Sequence, residues 1–173
     1  MCRSFFLCFY LAATSMMTIE KLRAAAALLL GGLIWYACFA LFFIYSGAQS
    51  VLASPDYQSS KFLKVFLEVE PLPRVVESPW LLYAGIYMVS TASICVFLFL
   101  GKKLRGPWWK KGLRFALINW ALSIPWFEFY LPYNVMHEPF LLVLLEGVLW
   151  LCTLVVFSIT ISFIVYFRKK RLR

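Results

Sequence analysis

Four long apolar stretches, at residues 24–46, 80–100, 115–133 and 139–167, constrain this chain more than any other feature. Each is near the ~20 residues an α-helix needs to cross a ~30 Å hydrocarbon core. Lipid offers no water to an unpaired backbone group, so an isolated span must be helical. The expected fold is therefore all-α, an integral membrane four-helix transmembrane bundle that forms one domain over residues 1–173, with an extracytoplasmic loop at 47–79. The fourth stretch is longer than a span requires, which implies tilt or an end lying in the interface. Composition agrees, since 63% of residues are hydrophobic and only 14% charged. Soluble proteins sit near ~45–50% apolar and ~25% charged, and a soluble fold of this size has no interior able to hide the excess.

Orientation follows from where the positive charges sit. Arg3, Lys21 and Arg23 precede the first stretch, and Lys102, Lys103, Arg105, Lys110, Lys111 and Arg114 separate the second from the third without an acid among them. Arg168, Lys169, Lys170, Arg171 and Arg173 follow the fourth. The loop at 47–79 instead sets Lys61, Lys64 and Arg74 against Asp56, Glu68, Glu70 and Glu77, and the turn at 134–138 holds His137 and Glu138 but no Lys or Arg. Basic and non-basic connections alternate, as four spans with both termini in the cytoplasm require. The expected location is a cell membrane of the bacterial inner-membrane type.

The apolar run at residues 5–17 is too short to span, and its Met1-Cys2-Arg3-Ser4 beginning resembles the start of a signal peptide. Cleavage would invert every later loop, so an uncleaved interfacial segment or a start at Met16 or Met17 is the expectation. In the outer loop, Phe62, Val65, Phe66 and Val69 recur at i, i+3, i+4 and i+7 while Lys61, Lys64 and Glu68 fall on the other side. That spacing predicts a short amphipathic helix on the membrane surface. Val65, Leu67 and Val69 also alternate, which leaves a strand open.

Polar residues at membrane depth are costly and so the most informative. Glu146 lies roughly seven residues, or ~10 Å, inside the outer end of the fourth stretch, on one helix face with Trp150, Thr153, Phe157 and Thr160. Asn119, Ser123, Trp126, Tyr130 and Tyr133 form a similar stripe in the third stretch, and Tyr83, Tyr87 and Ser90 in the second. If these faces meet, Glu146, Trp126, Tyr87 and Ser123 form a polar intramembrane cluster. It would act as a protonatable site, or as a set of hydrogen bonds that ties helices together. Glu128 is a further candidate, although it falls about 180° around the helix from Asn119, away from the Trp126/Tyr130 stripe. Lys102, Lys103, Arg105, Trp108, Trp109, Lys110 and Lys111 are expected to anchor the cytoplasmic face to anionic lipid headgroups. With charge already demanded there by topology, no nucleic-acid partner is implied.

No nucleotide-binding glycine pattern, nucleophile elbow or metalloprotease helix occurs in the sequence. The five cysteines form no C-x-x-C pair and there is one histidine, so no metal, cofactor or catalytic residue is expected. A lipid-acting enzyme would have to draw on His137 or Glu138. Gly31, Gly32 and Gly147 read as points where helices approach closely. In size, spacing and the Lys111-Gly112-Leu113-Arg114-Phe115 lead into the third stretch, the chain resembles small four-helix bacterial membrane proteins of unknown function. The resemblance implies a structural or accessory membrane component, alone, as a homo-oligomer or within a larger complex. The alternative is a small oligomeric transporter or proton-coupled carrier that uses a membrane-embedded Glu.

Overall fold

A computed structural model describes residues 19–167, and every element in that range is helical. The reading of residues 5–17 and the basic tail beyond Phe167 lie outside the described residues. In chain order the helices are α1 (Ile19–Phe39), α2 (Ala48–Leu52), α3 (Ser60–Leu67), α4 (Arg74–Glu77), α5 (Trp80–Leu100), α6 (Trp108–Glu128) and α7 (Phe140–Tyr166). Two π-helical segments, Ala40–Ile44 and Phe129–Val135, extend α1 and α6.

Three helices are long and apolar enough to cross a membrane: Lys21–Ile44, Trp80–Leu100 and Phe140–Tyr166. The stretch at 115–133 is helical as expected but is not among them, so the sequence-based count of four spans is matched for three. Asn119, Pro125, Glu128 and Pro132 dilute its hydropathy, as do Trp and Tyr rings that favour the membrane boundary over its core.

Packing is organised by α7, which lies along α6 on one side and α1 on the other, while α5 lies against α1. Lipid gives apolar side chains no reason to prefer a neighbouring helix, so backbones approach where small residues permit it. Gly31 and Gly32 do this between α1 and α5: a Cβ on Gly31 would fall 2.3 Å from Ile94 Cδ1, and one on Gly32 would fall 2.1 Å from the Tyr87 ring. Gly112 is less forgiving, because a Cβ there would meet backbone, Ile159 Cα and the Ser158 carbonyl oxygen, at 2.8 Å. Gly147 has open space where its Cβ would be, and serves α6 instead through its carbonyl, which accepts the Trp120 indole N–H at 2.8 Å. Phe97, Phe115 and Tyr166 bring α5, α6 and α7 together at the end near the 101–107 connection.

The outer loop contains the amphipathic helix that the spacing predicts. Ser59 caps α3 by accepting the Phe62 N–H at 3.0 Å, and Phe62, Val65 and Phe66 are half-buried while Lys61, Lys64 and Glu68 are exposed. The helix ends at Leu67, so Val69 falls outside it and is exposed.

Candidate functional site: a buried carboxyl cluster

The site begins with spacing along α6. Gly112, Ala116, Trp120, Ile124 and Glu128 recur every four residues and form one ridge, of which Gly112, Ala116 and Glu128 are buried. Because Gly112 pins that ridge to α7, Glu128 is carried inward at the far end and is only 3% exposed. Its carboxyl lies against the carboxyl of Glu146 and the indole of Trp150, both on α7. Directly after Glu128 the helix widens into its π-helical segment, where Pro132 lacks the N–H that would bond the Glu128 carbonyl.

Glu138 completes the group. His137 adopts a left-handed backbone (φ 57°), and the Glu138 N–H donates to the Pro132 carbonyl at 3.0 Å, which folds the turn back over the π-helical segment. Glu138 is thereby 3% exposed, within electrostatic reach of Glu128 and Glu146. Burial pushes its carboxyl above the ordinary carboxylate range; the Gln58 amide opposes this and the charge of Glu128 adds to it. Gln58 is itself buried, donates from Nε2 to the Leu52 carbonyl at 3.1 Å, and accepts the Ser59 N–H on Oε1 at 2.7 Å. Ser59 Oγ donates to the Met136 carbonyl at 2.6 Å, so the outer loop is fastened to the α6–α7 turn beside Glu138.

Trp150, beside Glu128, belongs to a set of packed aromatic rings. Trp35, Phe39 and Phe43 recur every four residues along α1 and its π-helical extension, and surround Trp150 at 6.5, 5.8 and 4.8 Å between ring centroids. An open groove of about 330 Å³ runs past Trp35 and Trp150 toward Ile86 and Val89 of α5, with Trp150 as one wall. Oε2 of Glu128 and Oε2 of Glu138 are buried and have no hydrogen-bond partner. Among the described residues, no Lys or Arg faces any of the three carboxyls, and no set of His, Cys, Asp or Glu is arranged to hold a metal ion.

Of the residues singled out from the sequence, the structure brings Glu128 and Glu146 together and places Trp126, Tyr87 and Ser123 elsewhere. Trp126 is 68% exposed and stacks on Tyr130 at 5.4 Å, on the side of α6 opposite Glu128. Tyr87 donates its hydroxyl to the Leu29 carbonyl, and Ser123 to the Asn119 carbonyl at 2.6 Å. Sequence reasoning missed Gln58 entirely and gave Glu138 as a turn residue on which only a lipid-acting enzyme would draw; no local pattern marks either for burial. His137 is exposed, so it and Glu138 face different surroundings.

The basic connection divides in two. Lys102, Lys103, Arg105, Trp109 and Lys110 are exposed, with Lys103 over the Phe99 ring at 5.0 Å and Lys110 over Trp109 at 5.2 Å. Trp108 and Lys111 are half-buried and turned into the protein. Trp108 packs its ring on Phe163 at 5.2 Å and its backbone carbonyl accepts from Ser162 Oγ, while Lys111 donates to the Gly101 carbonyl at 2.6 Å and sits over the Tyr166 ring.

No protein-family model matches this chain. No curated protein or solved structure matches it either. The functional reading therefore rests on the site's own chemistry.

Proposed function

We propose that the chain is a multi-pass protein of a bacterial inner-membrane type of membrane, with α1, α5, α6 and α7 as four spans and both termini cytoplasmic. Within it the Glu128–Glu146 pair serves as the proton site of a small proton-coupled carrier. The observation that carries this reading is the contact between the two carboxyls beside Trp150, with Glu128 Oε2 left unpartnered. Two adjacent negative charges removed from water repel each other, so such a pair holds a proton between its members. A group of this kind gains or loses charge when a proton or a cation arrives, and coupling requires that property. The fourth span is supported by the buried ridge of α6, which turns its acid toward α7 and its Trp126 and Phe127 outward.

Two measurements test the proposal. In a version without native cysteines, single cysteines at Asp56 and Asn134 are expected to label from outside and one at Lys103 only after permeabilisation. Outside labelling at Lys103 would sink the orientation. For the carrier, inside-acid proteoliposomes given a small-molecule cell extract are expected to release protons with the native chain and not with Glu146→Gln. Identical traces would reduce the pair to a packing role. That second reading, a structural or accessory component, draws on α5, whose Leu82, Met88, Val89 and Phe99 are exposed to whatever lies beside it.

A further inference from the structure

We infer that Glu138 is the relay through which protons pass between outer-side water and the Glu128–Glu146 pair, and that Gln58 holds this relay closed. The inference rests on the proposed proton site and adds its route. Glu138 lies in the turn between α6 and α7, next to the exposed His137, yet is itself only 3% exposed. The groups that face it are Gln58 from the outer loop, Glu128 from α6 and Glu146 from α7. Beyond Glu128 the cluster meets Trp150 and the Trp35, Phe39 and Phe43 rings, which neither accept nor pass a proton, although Trp150 also walls the open groove past Trp35.

A carboxyl relays by taking a proton on one oxygen and giving it up from the same group. Glu138 Oε2 and Glu128 Oε2 are both buried with no partner, so each carboxyl has an acceptor position left. In the transfer, directly or through water, the O–H bond of Glu138 breaks as one forms on Glu128, and the summed charge of the three carboxyls is unchanged. Gln58 cannot stand in for a carboxyl, because an amide does not exchange its proton at a comparable rate. Its Oε1 is taken by the Ser59 N–H and one Nε2 hydrogen by the Leu52 carbonyl, which leaves the second Nε2 hydrogen for Glu138. Ser59, bonded to the Met136 carbonyl, keeps that amide in place. For Glu138 to meet outer water, the Gln58 contact must open.

Hydrogen–deuterium exchange of protonated carboxyls, followed in the full chain by infrared spectroscopy after transfer to heavy water, tests this. The relevant signal is the part of the carboxyl band lost in the Glu128→Gln/Glu146→Gln double variant. Glu138→Gln is expected to slow its exchange at least tenfold, Glu138→Asp to restore it within a few-fold, and Gln58→Ala to quicken it several-fold. Native exchange in Glu138→Gln, or failure of Glu138→Asp to restore it, overturns the relay while leaving the proton pair intact. A double variant that loses none of the band overturns the pair itself, and the relay with it.

Discussion

Gly112 of α6 sits so close to Ile159 of α7 that a single added carbon would lie 2.8 Å from the Ile159 Cα and from the neighbouring Ser158 carbonyl. Both obstacles are backbone, so neither helix can yield by rotating a side chain. Gly112→Ala is expected to destabilise the protein by about 1–3 kcal/mol through overpacking. Gly147→Ala, with nothing within 4 Å, is expected to be neutral or to gain up to ~1 kcal/mol from helix propensity. Thermal unfolding of both in one detergent checks this, and equal effects would contradict the close crossing.

Trp120 reaches across the same interface to the Gly147 carbonyl. Trp120→Phe removes the donor and keeps most of the ring, so the expected loss is ~0.6–2 kcal/mol, the range for interhelical hydrogen bonds in membranes. Unfolding measured beside Trp109→Phe, whose ring is exposed, separates the bond from the general effect of losing an indole.

Ser59 does two things, since it caps α3 and ties the outer loop to Met136. Ser59→Ala is expected to cost about 1 kcal/mol from the cap alone. Amide exchange is the sensitive readout: α3 should lose protection while α7 keeps its own. Unchanged protection in α3 would mean that the loop is held by its half-buried Phe62 and Phe66 instead.

The pH dependence of Glu138 has a definite sign. Burial raises its folded-state value above the ordinary carboxylate value, about 4.3 in an unfolded chain. Its contribution to stability is then fully present below that unfolded value and is lost as the pH rises through the higher folded one. Glu138→Gln removes the titration, so stability plotted from pH 4 upward should fall less steeply than in the native chain. Parallel curves would show that Glu138 ionises in the fold without penalty.

Much of the helix content could be read from the chain, because lipid forces an apolar stretch to be helical whatever its neighbours are. The amphipathic helix was legible for the same local reason: Phe62, Val65 and Phe66 share one face, and Ser59 begins it. Membrane depth made Glu128 and Glu146 worth attention, and ideal helix geometry placed Glu128 opposite Trp126, as the structure does. The stripe of Asn119, Ser123, Trp126 and Tyr130 does not mark the packed face, because polarity alone does not decide which side of a helix finds a neighbour. Small residues mark it instead. Gly112 and Ala116 let α6 approach α7, and Trp126 and Tyr130 turn outward.

The sequence by itself determined where the four long helices and the amphipathic one form, which connections carry positive charge, and which acids lie within apolar stretches. These are properties of neighbours along the chain and of their transfer from water to lipid. Tertiary structure alone decided that Glu128 would meet Glu146, that Glu138 would be folded in beside them, and that the Gln58 amide would lie next to it. Ser59 and Met136, which fasten the outer loop to the turn, are 77 positions apart. Which face of a helix finds a partner depends on how backbones fit together, and hydropathy carries no record of that fit.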